Sequence, residues 1–556
     1  MASAEIVLAA LGGADLCLKY GAVLIQAYRS FRSANKDTKE RILTIEAIWS
    51  RTALQIGFLR NVVSTLGEEH LRIQADLFEI LCSKLKLAIS KTESVLRKKG
   101  GDVNPWKYVV VRKSLDATIA SLERWQRIFD PSWFLIMRVA DGAIDSELSK
   151  SAQAPAVTAA TSTQAPSSDS ALVAAQKFRV SISGKTDHIH ISLPANGLDW
   201  GTVKEVAYST TKLVKRAGSS PKTFAVDSIP LPPGTDARRI RADAEALAKK
   251  LHHIQPGYGI LQCQGLIKHR GAETKRLDFI DMVFNIPPGL ENPASLRKHL
   301  ITGTMPTSCS LSAVLGVARQ LAEAVSFLHT CDFVHKNIRP ETILILGAKT
   351  DRHSGKWVDE PLGSAFLVGF DSFRGVTSHT TRTGDDDWHR DLYRHPSRQG
   401  PRAQEDYVMQ HDVYSLGVCL LELGIGRSFI EYANWDPAEG IEEVRPGEAL
   451  DLPDKGDGLD NSTEMLKRVG LGGTGFGDPD LQRRLELKDH LVRLARTKLL
   501  ARMGDLYAAV VVTCLTCLDS NNEDFGDEEE MRDEDGILIG VRFIEKVLLC
   551  LNSILV

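Results

Sequence analysis

Few side chains in this sequence stand at spacings that suit chemistry. Cys514 and Cys517 form a C-x-x-C, the spacing of a redox dithiol or of half a zinc site. They lie in the apolar run 507–518, which reads as a buried helix, and no second pair completes a zinc site. Both thiols are therefore expected in a core, where a free cysteine acts as a small hydrophobe. The pairs His188/His190 and His252/His253 read as ordinary surface or core histidines. His389-Arg-Asp-Leu392 follows the acidic run Asp385-Asp-Asp387, but no strand comes after it. A longer constellation spans 333–345, FVHKNIRPETILI, where His335, Lys336, Asn337 and Arg339 precede a short apolar run. Its central polar group, Asn337, is an amide and a poor proton acceptor.

The elements that must position these groups follow from pattern. In 556 residues, 68 Lys+Arg stand against 71 Asp+Glu, and 43% of residues are hydrophobic. That is ordinary for a folded soluble protein, and it excludes a disordered chain and a disulfide-dense miniprotein. It gives no support for a nucleic-acid partner. A single core rarely exceeds roughly 250–300 residues, so several domains are expected. Residues 149–176, rich in Ala, Ser, Thr and Pro, cannot bury enough surface to offset their ordering entropy. They read as a flexible linker between a helical bundle at 1–148 and a second domain at 177–556.

The first segment is helical throughout. Ile42, Ile45, Trp49, Thr52, Ile56, Leu59, Val63 and Leu66 make one apolar stripe, and Phe78, Leu81, Leu85, Ala88, Thr92 and Val95 make another. A further helix is expected from about 112 to 129, and another after Asp130-Pro131, with Asp130 as N-cap. The first helix is unusual. Its apolar run from Ile6 through Leu11, Gly12, Gly13, Leu16 and Gly21 to Ile25 makes a candidate membrane segment of bilayer length. Asp15 and Lys19 interrupt it and can pair at i, i+4, which argues against a secretory signal or a permanent span. The glycines suit close helix packing. Residues 1–150 hold 22 Lys+Arg and 17 Asp+Glu, a mildly basic balance compatible with an anionic membrane surface. Nine scattered cysteines suit a reducing compartment, so a cytoplasmic protein is expected.

After the linker, β-type runs appear at 178–182, 188–192, 223–227, 260–267 and 276–284, with a helix at 236–253. From about 311 the chain is mainly helical, apart from an acidic, solvated insertion at 522–535. This is an α+β plan. The 333–345 string resembles the catalytic loop of protein kinases, H-R-D-L-x-x-x-N followed by a strand. The run from His411 to Glu422 resembles the helix after a kinase activation segment, and Tyr393-Arg-His-Pro396 sits where kinases carry their A-P-E turn. Order and spacing agree over all three blocks. The resemblance covers about 178–556 and implies a bilobal kinase-like fold.

Phosphoryl transfer needs a lysine on the phosphates, two metal ligands and a carboxylate for the substrate hydroxyl. By this resemblance the lysine position is Asp227, the carboxylate is Asn337, and the two metal ligands are Thr342 and Gly369. All four are substituted, and no Gly-rich loop of the family's spacing precedes them. The expectation is a catalytically inactive domain with no cofactor and no metal, although residual ATP binding stays open. Asp371, two residues past the metal position, is the one group that could rescue activity. His389-Arg-Asp-Leu392 lies after the metal position and belongs to the activation segment. The family pattern also assigns structural or regulatory places. His335 keeps the loop histidine, Asp412 caps the loop backbone, and Pro396 keeps the turn. Glu245, the partner of the family's lysine, would here face Asp227 and repel it. Ser378, Thr380, Thr381 and Thr383 are candidate phosphorylation positions, where a phosphate beside Asp385–Asp387 would repel and free the segment.

Bundle and degenerate kinase together resemble fungal proteins in which a helical HeLo-type (prion-inhibition and propagation) domain precedes a kinase-like domain. Residues 391–400 and 411–417 carry that resemblance. The layout also parallels mixed-lineage kinase domain-like pseudokinases. These resemblances imply signalling in regulated cell death or incompatibility, with protein partners, bundle self-association and conditional recruitment to the plasma membrane. A non-enzymatic scaffold and an atypical active Ser/Thr kinase are the alternatives.

Overall fold

The computed structural model describes residues 4–29, 36–97, 105–139, 141–153, 170–182, 190–218, 222–252, 258–271, 276–303, 305, 309–348, 362–375, 387–400, 405–433, 443–450, 478–526 and 538–555. They form two compact units, Met1–Lys185 with Asp533–Glu545, and Thr186–Arg532 with Lys546–Val556. The division thus falls beyond the expected linker, of which 154–169 lies outside the described residues.

The first unit holds α1 (Ala4–Arg29), α2 (Lys36–Val62), α3 (Glu68–Arg97), α4 (Pro105–Ile136), α5 (Gly142–Gln153) and α6 (Ser170–Ile182). The apolar stripes face inward: Ile42, Ile45, Trp49, Ile56 and Leu59 of α2, and Phe78, Leu81 and Leu85 of α3, are buried. Trp125 of α4 stacks on Phe129 at 4.5 Å and donates its indole N–H to the Leu77 carbonyl at 2.8 Å. Two of the three glycines of α1 serve close packing. A Cβ at Gly21 would lie 1.8 Å from the Trp49 ring and one at Gly13 would lie 3.0 Å from Phe78 Cβ, while Gly12 has nothing within 4 Å. Gly21→Ala therefore overpacks the α1–α2 contact, and a loss of about 1–3 kcal/mol is expected in denaturant titration of the full chain.

Three local expectations change. Asp15 pairs with Arg60 of α2 at 3.3 Å instead of with Lys19. Asp130 does not cap a new helix, because α4 runs unbroken through Pro131. Its carboxylate is instead held by Arg51 at 2.8 Å, so a tertiary partner replaces the backbone N–H groups a cap would take. Residues 178–182 read as extended but form the end of α6. Phe178 packs edge-on against Phe134 at 4.9 Å. Arg179 donates to the carbonyls of Met137, Val139 and Asp141 at 2.8–3.0 Å. Carbonyls at and just past the C-terminus of α4 have no helical partner, and Arg179 supplies one.

The second unit begins with an antiparallel sheet in the order β1-β2-β3-β5-β4. Its strands are β1 (Leu198–Glu205), β2 (Lys212–Arg216), β3 (Thr223–Pro230), β4 (Cys263–Arg270) and β5 (Leu277–Asn285). Between β3 and β4 runs α7 (Ala237–His252), which packs on β4. Leu198, Val214, Phe224, Val226, Ile267 and Val283 form one apolar cluster on the sheet. The sequence reading missed β1 and β2, whose mostly exposed positions leave no long apolar run.

Next come β6 (Leu290–Ser295), α8 (Leu296–Ile301), α9 (Leu311–Thr330), β7 (Phe333–Val334), β8 (Ile343–Ala348), β9 (Ser364–Leu367) and β10 (Arg374–Gly375). They are followed by α10 (Trp388–Asp391), α11 (Met409–Ile425), β11 (Ile430–Ala433), β12 (Glu443–Pro446), α12 (Asp478–Leu494), α13 (Asp505–Leu515) and α14, a helical run over 538–553. The core helix is α11, buried over nearly its whole length between α9 and α13. Cys514 and Cys517 are buried free thiols there. The fold class is a helical bundle unit and an α+β unit of kinase-like plan. Part of the acidic insertion, 527–535, lies outside the described residues.

Candidate functional site

β1 and β2 are joined by residues 206–211, a turn rich in hydroxyls. Tyr208 has a left-handed backbone, φ 54°, which costs a non-glycine residue about 1–2 kcal/mol. The surroundings hold it there. The Tyr208 ring packs on Tyr432 with centroids 5.0 Å apart, and Ser295 Oγ donates to the Ala207 carbonyl at 2.6 Å. Thr211 Oγ1 donates to Asp227 Oδ1 at 2.6 Å. The turn is thereby fixed to the start of α8, to β11 and to the floor of the cleft.

Asp227 is buried on β3, beside Met282 of β5. Its second oxygen accepts the Gly369 N–H at 2.7 Å. A lysine here could not replace it at Gly369, whose N–H is a donor and needs an acceptor. Burial pushes the Asp227 carboxyl up to about 6 from 3.8, assisted by the nearby Asp371 and opposed by the bonds from Thr211, Gly369 and Phe370. Between these two values the unfolded chain ionises first and the folded chain holds the extra proton. Stability therefore falls as pH rises from about 4 to about 6, by roughly 3 kcal/mol from this group. Asp227→Asn is expected to flatten that fall, read as the difference between variant and parent in urea titrations from pH 4 to pH 7.

The other three substituted positions are bonded to protein groups. Gly369 has φ 78°, and a Cβ there would lie 2.4 Å from Thr342 Cγ2 and 3.6 Å from Thr210 Oγ1. The two positions that the resemblance assigns to metal ligands thus pack on each other. Thr342 Oγ1 donates to the Asn337 carbonyl at 2.7 Å and accepts the Arg339 N–H at 3.1 Å. The Asn337 amide is used at both ends: its N–H donates to Asp371 at 2.9 Å, and its oxygen accepts from Arg339 Nε at 2.9 Å. Among the described residues no group of three or more His, Cys, Asp or Glu is placed to hold a metal ion.

Asp412 organises the loop from below. Its oxygens accept the N–H groups of His335 at 2.7 Å and Lys336 at 3.0 Å, and the Tyr407 hydroxyl at 2.7 Å. Burial works to raise this carboxyl, but His329 at 3.1 Å and its other donors outweigh it and hold it below the ordinary value. His335 is buried, which depresses its protonation. Its Nε2 donates to the Val368 carbonyl at 3.0 Å, and its ring packs on Phe370 at 4.9 Å. Lys336 and Arg398 both lie over the Tyr407 ring, and burial with Arg398 and Arg374 nearby pushes the Lys336 ammonium down to about 8.

Two expectations about charge are corrected. Glu245 of α7 does not oppose Asp227. It pairs with Lys268 of β4 at 2.7 Å and with Arg241 at 2.8 Å. Partial burial works to raise Glu245, but these cations hold it below its ordinary value. The helix therefore keeps a lysine partner, supplied by a strand the family pattern does not use. By the kinase resemblance Ser397 stands where the A-P-E turn has its glutamate, which put the family's buried ion pair in doubt, and this lobe holds a different one. Arg297 of α8, fully buried, meets Glu341 at 2.9 Å, Ser428 at 2.7 Å and Tyr393 at 2.5 Å, and also pairs with Glu422. No sequence motif flagged Arg297, which stands beside Lys298 and His299 in a locally basic run.

The remaining sites divide. Pro396 opens a short 3-10 turn (Pro396–Arg398) whose Ser397 contacts His411 at 3.1 Å. Asp391 of the His-Arg-Asp-Leu string accepts the Gly400 N–H at 2.9 Å and takes no part in the cleft. Ser378, Thr380, Thr381 and Thr383 lie outside the described residues. In the candidate membrane segment, Gly21 and Ile25 are buried, Ile6, Leu11 and Gly13 are half-buried, and Gly12 and Leu16 are exposed.

Comparison with known proteins fits this geometry at the level of fold. No protein-family model matches the chain. A protein of Mycoplasma pneumoniae, provisionally described as a serine/threonine-protein kinase, is 25% identical over 148 residues. The match spans 26% of this chain and 37% of that relative. The chain is thus a helical bundle unit with a kinase-like unit, distantly similar to a serine/threonine-protein kinase.

Proposed function

We propose that this chain is a signalling pseudokinase of the HeLo-type architecture, in which a kinase-like unit that transfers no phosphate controls the helical bundle. The observation that carries the reading is the cleft closed by its own chain. The 206–211 turn is bonded into it, and Asp227, Asn337, Thr342 and Gly369 are engaged with protein groups. Phosphoryl transfer depends on positioned cations and metal ions, and these positions supply an anion, an amide, a hydroxyl and a hydrogen. Asp371, which keeps its carboxylate, is tied to Asn337 and would have to leave it to serve a metal.

The bundle is the effector in this reading. Among the described residues, two helices are long and apolar enough to cross a membrane. α9 is mostly buried core, whereas 22% of the corresponding stretch of α1 is buried. Leu8 is 68% exposed, and Leu16 and Val23 are also exposed. That face suits a lipid surface or another bundle, in a cytoplasmic protein drawn to the plasma membrane on activation. Regulated cell death or incompatibility is the setting that the family resemblance suggests.

A thermal-shift titration of the full chain with ATP, with and without Mg²⁺, tests the first half. No shift at millimolar nucleotide is expected, because only a ligand that binds the native state raises its stability. A saturable shift would show that the cleft is not closed by its own chain, and phosphate incorporation that Asp371→Ala abolishes would overturn the reading. For the second half, the full chain is expected to bind anionic vesicles at least tenfold more weakly once Leu8, Leu16 and Val23 are all changed to Glu. Equal binding would remove the membrane role.

A further inference from the structure

The bundle unit is not built from N-terminal residues alone. It includes Asp533–Glu545, while the chain up to Arg532 and from Lys546 belongs to the kinase-like unit. The described part of that insert, 538–545, is the first half of α14. It packs on α3 and α4 and contains the buried side chains Val541, Phe543 and Ile544. Gly540 permits the close approach: a Cβ there would lie 3.0 Å from Leu135 Cδ1 and 3.2 Å from Cδ2, and Leu135 is itself buried. Glu545 meets Arg72 at 3.2 Å, and both side chains are partly exposed. A pair so exposed sets register more than it holds.

The second half of α14 has separate anchors. Arg319 donates to the carbonyls of Leu551 at 3.0 Å and Ile554 at 2.7 Å, and Lys546 meets Asp524 at 3.1 Å. Between the two halves the helix is a π-helix, Ile544–Leu549. That conformation is rare and is frequently found at functional sites. One short segment, with few buried side chains, thus belongs to the bundle while both its flanks belong elsewhere. Local opening concentrates where buried contacts are few.

We infer that residues 538–545 are an autoinhibitory clip: a helical segment, carried by the end of the kinase-like unit, that docks on α3 and α4 and detaches as a piece, uncovering the apolar surface around Leu135 while the rest of the bundle stays folded. The inference requires neither an empty nucleotide cleft nor a membrane.

Hydrogen exchange on the full chain tests it. In the parent protein the amides of 542–545 exchange at least tenfold faster than those around Leu81 and Trp125 in the bundle and those of 550–553. Exchange at a common rate with Leu81 and Trp125 would mean that the segment is integral to the bundle, and would overturn the inference. Gly540→Leu drives a side chain into Leu135. It accelerates 542–545 at least another tenfold and exposes α4 near Leu135, and the Leu81 and Trp125 regions stay protected. Loss of protection throughout the bundle would overturn detachment as a piece. Adding Leu135→Ala makes room for the new side chain and returns exchange to within threefold of the parent. No recovery would remove the proposed contact.

Discussion

Arg297→Met is expected to destabilise the kinase-like unit by about 3–5 kcal/mol, because it leaves two buried carboxylates without their cation. Glu341 and Glu422 are both buried, and each takes a bond from Arg297. Burial works to raise Glu341, but Arg297 and Arg339 outweigh it and hold the carboxyl down at about 2. Its contribution is therefore present above the ordinary value of 4.5 and disappears as pH falls toward 2. Burial raises Glu422, which Arg297, the Tyr393 hydroxyl and the Phe429 N–H keep bonded. The measurement is urea denaturation of the full chain at pH 7 and pH 5. The variant should lose several kcal/mol at pH 7, and lose less at pH 5 as the orphaned carboxylates take up protons. A loss below 1 kcal/mol at pH 7 would show that the cluster is not what holds α8, the catalytic-loop equivalent and α11 together.

Gly369→Asp restores by sequence the residue that kinases use to hold a metal ion. It is nevertheless expected to cost about 2–4 kcal/mol and to gain no response to Mg-ATP. The backbone at 369 is left-handed, and the new Cβ would fall 2.4 Å from Thr342 Cγ2 and 2.9 Å from its Cβ. Thr342 cannot yield easily, because its hydroxyl is bonded to the Asn337 and Arg339 carbonyls. Overpacking of this kind costs 1–3 kcal/mol, and the left-handed aspartate adds about 1 kcal/mol. Thermal unfolding with and without Mg-ATP reads both parts. A stable variant that gains a nucleotide shift would mean that the cleft opens readily and that one side chain separates it from binding.

Much of the plan was legible in the sequence because it rests on local pattern. The stripes of α2 and α3 carry a helical period, and that period alone predicts which face is buried. The 333–345 and 411–422 strings stand in kinase order, and the capping role of Asp412 followed from its place in that order. The errors cluster where a distant partner overrides a local signal. Asp130-Pro131 is a good helix start in isolation, but Arg51 takes the carboxylate. The 178–182 run has strand-like composition, but Phe134 and the free carbonyls near the end of α4 select a helix.

The candidate site divides along the same line. Residue types alone state which side chains stand at 227, 337, 342 and 369, since a side chain is either encoded at a position or not. How the charged groups of this unit are paired was settled only in three dimensions. The 206–211 turn, the Lys268 partner of Glu245 and the Arg297 cluster join residues 16 to 142 positions apart. Hydrogen bonds and ion pairs of that range carry no sequence period, because their geometry depends on where the backbone has already gone. Sequence states which charges the chain carries, but only packing decides which of them are buried and which charge each meets.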